Sequence, residues 1–427
     1  MPYTRSLHSI AIDAKRGRDG VNARFSSPRL RHVPFKATNQ MTERLDALRA
    51  RGLDPINLST ARPNFDTPRR IKDAAKAALD VSVTYILYSD SRGLMELREA
   101  IARKLAEENS LNVEPGDQVI VTAGTHEALS AVLLATVGPG DEVVLLDPSW
   151  VAYKGMVGLT GATATYASLK AGRLDADALR AAVTPATKAI VFNNPNNPTG
   201  TVFSREELNA IASVAQESDL LVIVDEIYEY FLYDGNEHVS IGSLPGMAER
   251  TVTINGLSKA YAMTGWRVGY AAGPAAVMAS VLAVHQHLIS SPTNFAQKGA
   301  VAAFEDAHED YKPMVRAYTT RRDSLAAGLK SMSWLRAPLP QGACFFFLHV
   351  PGGLPSAELS ELFLEKGGLM LPPGAAFGPT GEEHLRLSFA GLPEERVPEV
   401  LERMEEVGKH LRSLKSTTHL GGGRGSR

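Results

Sequence analysis

The 427-residue chain has one cysteine, Cys344. That excludes an internal disulfide framework and any cysteine-cluster metal site, and it fits a reducing cytoplasm. The eleven histidines show no metal-ligand spacing, so no metal is expected. No apolar run approaches the roughly 18 residues that span a bilayer. Net charge is only −2, so neither a membrane surface nor nucleic acid is an expected partner. Internal repeats are absent as well. With 44% hydrophobic and 22% charged residues the chain has the composition of a soluble globular protein. It is too long for one ordinary core and is sized for about two or three domains.

The ends differ from the middle. In residues 1–36 eight lysines and arginines stand against Asp13 and Asp19. Transit peptides share that bias, but without a secretory apolar core the stretch reads as a flexible extension. Residues 415–427, ending Gly-Gly-Gly-Arg-Gly-Ser-Arg, read as a flexible tail. Apolar spacing predicts helices over 41–51, 68–79 and 93–109. From there short Val/Ile/Leu-rich runs (118–123, 142–146, 162–166, 188–192, 220–224, 251–254 and 267–272) alternate with helical segments at 127–137, 175–182, 204–217 and 275–288. This is the signature of α/β architecture: a mostly parallel sheet in a three-layer α/β/α sandwich. Past about residue 305 the pattern changes to a long helix through Leu329, strands at 344–350 and 385–389, and helices at 356–365 and 395–414. The expected organisation is a large domain over 65–305 and a smaller α+β domain built from 37–64 and 306–414.

Ligands of open α/β sheets gather beyond the carboxyl ends of the strands. Five consecutive strand ends here carry a candidate group: Gly124 opening a helix, Asp147-Pro-Ser-Trp150, the asparagine-rich stretch from Asn193 to Gly200, Asp225-Glu-Ile-Tyr228, and Lys259. A helix start offers free N–H groups to phosphate. A lysine held near a carbonyl and partly uncharged is a nucleophile, and Arg267 suits a phosphate. Singly, each has an ordinary use. Asp225 caps a helix, Asn197-Pro-Thr-Gly makes a turn, Trp150 and Tyr228 pack in a core, and Lys259, Arg267 and Arg386 are surface charges.

Taken together, the motifs Asn196-Asn-Pro-Thr-Gly, Asp225-Glu-Ile-Tyr, Ser258-Lys-Ala-Tyr-Ala-Met-Thr-Gly-Trp-Arg and Leu385-Arg-Leu-Ser-Phe resemble the class I/II aminotransferases, pyridoxal-phosphate enzymes of fold type I. The resemblance covers about residues 41–412. It implies pyridoxal 5'-phosphate joined to Lys259, which also moves the substrate's α-proton, and Asp225 partnering the pyridine nitrogen. It further implies Asn197 and Tyr228 on the phenolic oxygen and Trp150 stacked on the ring. Gly124, Thr125, His126, Ser258 and Arg267 would hold the phosphate, with Tyr88 reaching it from the neighbouring subunit of a homodimer with shared active sites. Arg386 would clamp the α-carboxylate of the amino acid or 2-oxo acid substrate, beside Asn197. The same resemblance leads one to expect cis peptide bonds before Pro148 and Pro198.

Departures bear on the substrate. The stretch that commonly reads Gly-Glu-Pro-Asp-Phe-Asp-Thr-Pro is Ala61-Arg-Pro-Asn-Phe-Asp-Thr-Pro68 here. Ala61 and Arg62 therefore stand at the substrate end in place of a glycine and an acid. Gly256 replaces a common serine, Cys344-Phe345 a Phe-Tyr pair, and His126 stands where some relatives keep a lysine. An inward Arg62 would favour an anionic group on the substrate, while the plainer reading turns it to solvent. Specialised or bulkier amino acids are the expected substrates, with aspartate, alanine and 2-oxoglutarate poor. Three functions compete: ping-pong transamination, elimination, replacement or cyclisation with the same cofactor, and a ligand-sensing regulator. The last needs a DNA-binding domain for which the first 40 residues leave no room.

Overall fold

The computed structural model describes residues 27, 29, 30, 33, 37–81 and 83–420. The expected extension, 1–36, falls almost wholly outside these residues, as do residues 421–427 of the expected tail. Among the described residues the regular elements start with helix α1 (Ala37–Ala50), the short strand β1 (Ile56–Asn57), and helices α2 (Arg69–Val81) and α3 (Met95–Asn109). An alternating block follows: β2 (Val119–Thr122), α4 (Thr125–Thr136), β3 (Glu142–Asp147), α5 (Ala152–Thr160), β4 (Thr163–Ser168), α6 (Ala176–Ala182) and β5 (Thr187–Asn193). It continues through α7 (Arg205–Glu217), β6 (Leu221–Asp225), β7 (Thr251–Gly256), β8 (Gly269–Ala272), α8 (Ala275–Ile289) and α9 (Asn294–Glu305).

These seven strands form one sheet in the order β2-β8-β7-β6-β5-β3-β4. Only β8 runs against its neighbours; it pairs antiparallel with both β2 and β7. Period-two side-chain direction explains the layers. Val143 and Leu145 of β3 and Ile223 of β6 point into a core shared with α4, α5 and α8. Val144, Leu146, Val222 and Val224 point the other way, under α6 and α7. Both faces are buried, so these strands are apolar throughout rather than alternating.

The rest of the chain is α10 (Lys312–Lys330), β9 (Phe345–His349), α11 (Ser356–Gly367), β10 (Leu369–Met370), β11 (His384–Ser388) and α12 (Val397–Leu420). β9 and β11 pair antiparallel, with Arg386 opposite Phe347. The N-terminal segment belongs to this part: β1 pairs parallel with β10, and Leu45 packs on Leu364 and Met370. Tyr228 and Phe231, just past the end of β6, are buried in the same core as Phe345, Phe363 and Leu385.

Four local differences from the sequence reading stand out. Helices α5 and α9 were not expected. The strand expected over 267–272 begins only at Gly269, because Arg267 sits at φ 57, outside extended geometry. The last helix runs to Leu420 rather than 414, so the expected tail starts inside it.

Candidate active site

The carboxyl edge of the sheet gathers the expected residues. Asp225 is the last residue of β6, in register with Asn193 of β5 and Ile254 of β7. Lys259 lies in the connection between β7 and β8, which is pinned where Gly256 pairs with Gly269. A Cβ on Gly256 would meet Gly269 Cα and Val268 O at 2.9 Å. The serine common in the motif therefore has no room here, a close approach that only glycine permits. Ala262 and Arg267, at φ 52 and 57, bracket the rest of the loop with non-glycine residues in the left-handed region. Such strain tends to persist where surrounding structure and function demand it. The peptide bonds before Pro148 and Pro198 are cis, as is the one before Pro195.

Two buried charges form no ion pair among the described residues. Asp225, 4% exposed, accepts from Ile227 N at 3.2 Å and from the Tyr153 hydroxyl at 3.4 Å. Burial pushes its carboxyl up to about 7 against those two bonds and the pull of Lys259. Arg386 is likewise 4% exposed. It donates to Asn197 Oδ1 at 3.0 Å and to Ser59 O, and its guanidinium lies over the rings of Phe345 and Phe377. Its Nε has no acceptor among the described residues, and burial brings its pKa down to about 10.

Between these charges stands Lys259, whose Nζ donates to Ala61 O at 2.8 Å and lies 6.0 Å from the Tyr228 ring centre. Burial lowers its pKa; Arg386 and Arg267 add to the effect, while Cys344 and Asp225 oppose it. A larger share of neutral, nucleophilic amine follows. Tyr228 is buried edge-on against Phe345.

At the start of α4, Gly124 adopts φ 81, and Thr125 and His126 occupy the first turn, the end of a helix that favours an anion. Arg267 closes this cradle, donating to Ala123 O at 2.9 Å and Thr264 O at 3.1 Å. A Cβ on Gly124 would overlap its guanidinium, and one on Gly269 would lie 2.7 Å from Thr125 N. Ser258 is buried on the adjoining loop. Trp150 stands edge-on to both His126 and Tyr153, at 5.0 and 5.4 Å between ring centres. These groups suit a ligand with a phosphate at one end, a basic ring nitrogen facing Asp225 and a carbonyl carbon near Lys259.

Not every expected residue is drawn in. Tyr88 is 87% exposed and shares no hydrogen bond or ring contact with this group among the described residues. Arg62 is exposed and forms no ion pair among the described residues, so the inward-pointing Arg62 does not appear. Ala61 contributes through its carbonyl oxygen. Cys344 is buried near Lys259 and Arg386, its thiol pushed by burial up to about 12.

Behind Asp225, on the far side of its strand end, lies a buried polar network. Lys104 Nζ donates to Glu229 Oε1 at 2.5 Å and Asn109 Oδ1 at 2.6 Å; Asn109 and Asn255 also donate to Glu229. Glu226 accepts from Ser240 at 2.8 Å and lies 3.3 Å from His238. Glu226, Glu229 and His238 are close enough to share a cation, and Lys104 supplies one. Tyr153, Ser59 and Phe377 belong to the site and were not expected. Tyr153 lies three residues past Trp150 in the unforeseen helix α5, and a backbone carbonyl such as Ser59 O leaves no mark in a sequence.

Comparison with known proteins agrees with this geometry. The family model described as "Aminotransferase class I and II" matches residues 54–404. The aspartate aminotransferase of Pyrococcus abyssi is 40% identical over 371 residues, 85% of this chain and 93% of the relative. The aromatic-amino-acid aminotransferase 2 of Thermococcus litoralis is 39% identical over 368 residues, 84% of this chain and 93% of the relative. Among solved structures, the Thermus thermophilus aspartate aminotransferase with maleate superposes with TM-score 0.83 at 38% identity, covering 90% of this chain and 99% of that one.

Proposed function

From the premise that the chain belongs to the class I and II aminotransferases, we propose that it carries pyridoxal 5'-phosphate at Lys259 and moves an amino group between an amino acid and a 2-oxo acid in two half-reactions. The observation behind this reading is a pair of buried charges with no ion-pair partner among the described residues. Asp225 needs a cation and Arg386 an anion, and a protonated pyridine nitrogen and a substrate carboxylate supply them. When bound, the cofactor supplies an electrophilic carbonyl carbon and a ring that accepts the electron pair left by the departing α-proton.

The protein's share is to bind, orient and move protons. The start of α4, Ser258 and Arg267 hold the phosphate. Asp225 keeps a proton on the ring nitrogen, so its own carboxyl stays ionised once paired. Asn197 and Tyr228 serve the phenolic oxygen, and Trp150 covers a ring face. Arg386 presents a planar fork to the α-carboxylate, with Asn197 fixing one side of the fork and Ser59 the other. That holds the α-hydrogen toward Lys259, whose lowered pKa suits it to take and return the proton.

Tyr88 would complete the phosphate site from a second copy. Val83, Ile86 and Leu87 beside it are 63%, 62% and 60% exposed, an apolar surface that a homodimer would cover. The single, buried thiol fits a cytoplasmic protein, and among the described residues no helix is long and apolar enough to cross a membrane. Borohydride reduction of the cofactor-loaded protein, followed by peptide mapping, tests the assignment. The label belongs on Lys259, and a label on any other lysine overturns it. Half-reactions with a panel including aspartate, phenylalanine and alanine then identify the amino donor.

A further inference from the structure

Residues 372–381 form a strap between α11 and β11 that crosses from the C-terminal part of the chain to the end of β3. Three contacts fasten it there. Thr380 N donates to Asp147 Oδ2 at 3.0 Å, Ser149 N donates to Phe377 O at 2.7 Å, and Asp147 Oδ1 fills the space that a Cβ on Gly378 would take. Gly378 is at φ 139, and a Cβ there would overlap the carboxylate, so both conformation and contact require glycine. Asp147 is completely buried, and its Oδ1 has no hydrogen-bond partner among the described residues. A buried carboxylate held only by the backbone N–H and side chain of one residue, Thr380, is costly to keep, and no step in the reaction uses it.

The strap's far side explains the expense. Phe377 lies under the Arg386 guanidinium, with 4.8 Å from ring centre to charge. Arg386 N donates to Pro372 O at 3.1 Å. The ring packs edge-on to Phe347, the residue opposite Arg386 in the β9–β11 ladder. The strap thus reaches the arginine from below and from its own backbone. We infer that Asp147 is a positioning residue for substrate binding: by fastening the strap to the large sheet, it holds Phe377 beneath Arg386 and fixes where the guanidinium waits for the carboxylate. The carboxylate touches neither cofactor nor substrate; it acts through Thr380, Gly378 and Phe377. This rests on the reading of Arg386 as the carboxylate clamp.

The test compares two substrates that differ only in that carboxylate, phenylalanine and phenethylamine, in single-turnover half-reactions of the cofactor-loaded protein. Asp147→Ala is expected to lower the preference for phenylalanine over phenethylamine by roughly 5- to 20-fold, the size of a weakened cation–π contact and charge-assisted bond. The loss falls on apparent substrate affinity, with the cofactor's absorption band and affinity unchanged. Asp147→Asn keeps an oxygen for Thr380 N and is expected to retain most of the preference. Phe377→Leu, which leaves Asp147 in place, is expected to give the same split and serves should Asp147→Ala not fold. An equal loss on both substrates, a loss of cofactor, or an unchanged preference in Phe377→Leu overturns the inference. Arg386→Lys separates the two readings: if it leaves the preference intact, the clamp assignment itself is wrong. If it abolishes the preference while Asp147→Ala does not, only the positioning role falls.

Discussion

Replacing Asp225 by asparagine separates what this carboxylate costs the empty protein from what it contributes to the loaded one. Without cofactor, Asp225 is buried, faces no cation among the described residues except the pull of Lys259, and titrates near 7 instead of 3.8. A carboxyl raised in this way holds its proton in the folded chain at pH values where the unfolded chain has released it. Its contribution to stability is therefore full below pH 3.8 and is lost as pH rises through about 7. At ~1.4 kcal/mol per pH unit, the loss over that interval is on the order of 4 kcal/mol. The carboxamide keeps an acceptor for Ile227 N and carries no charge. Cofactor-free Asp225→Asn is thus expected to be the more stable protein at pH 8, with the gap widening from pH 5 to about 7 and flat beyond. Urea midpoints of both cofactor-free proteins across that range measure it. With cofactor bound the order reverses, because the ring cation compensates the carboxylate, and turnover of the variant falls by ~100-fold or more. A cofactor-free variant no more stable than wild type at pH 8, or a gap independent of pH, would refute the reasoning.

Three further outcomes follow from described contacts. Lys104→Met strands Glu229 in the network behind Asp225 and is expected to cost roughly 3–5 kcal/mol in denaturant titration; adding Glu229→Gln removes the stranded charge and recovers much of the loss. Gly124→Ala forces a methyl against Arg267 at a positive φ, so cofactor affinity is expected to fall by about tenfold in equilibrium dialysis. Tyr88→Phe and Lys259→Ala subunits, mixed and re-equilibrated, are expected to form hybrid sites with both groups intact and to regain the activity that either variant loses; an active monomer in sizing experiments would end the shared-site reading.

Much of the sheet is legible in the residues because fully buried strands write themselves as short Val/Ile/Leu runs, and β3, β5 and β6 fall where those runs fall. The groups at the strand ends are legible for the same reason, since a strand's end is visible once the strand is. Helix α5 escapes because Gly155 and Gly158 lie inside it and no polar cap opens it. Helix α9 escapes because it is buried on several sides. Its Asn294 and Gln297 are buried, and Gly299 is needed where Trp266 presses on it, so no amphipathic stripe remains. The strand order, and the insertion of antiparallel β8 between β2 and β7, depend on pairings between separated segments, as far apart as Val119 and Ala272. No local pattern encodes them. Nor does any pattern reveal that the backbone oxygens of Ser59 and Ala61 would help to hold Arg386 and Lys259.

The three segments that meet at Arg386 also set an order of events during synthesis. Asp225, Lys259, Arg267 and the start of α4 have all left the ribosome before α10 begins. Arg386 emerges more than a hundred residues after Lys259, and its partners, Ser59 and Asn197, were made 327 and 189 residues before it. A nascent chain can assemble the groups that hold the cofactor while nothing yet exists to choose what reacts with it. Selectivity arrives with β11, among the last strands made, so a polypeptide released early would keep the reactive amine without the group that selects its substrate.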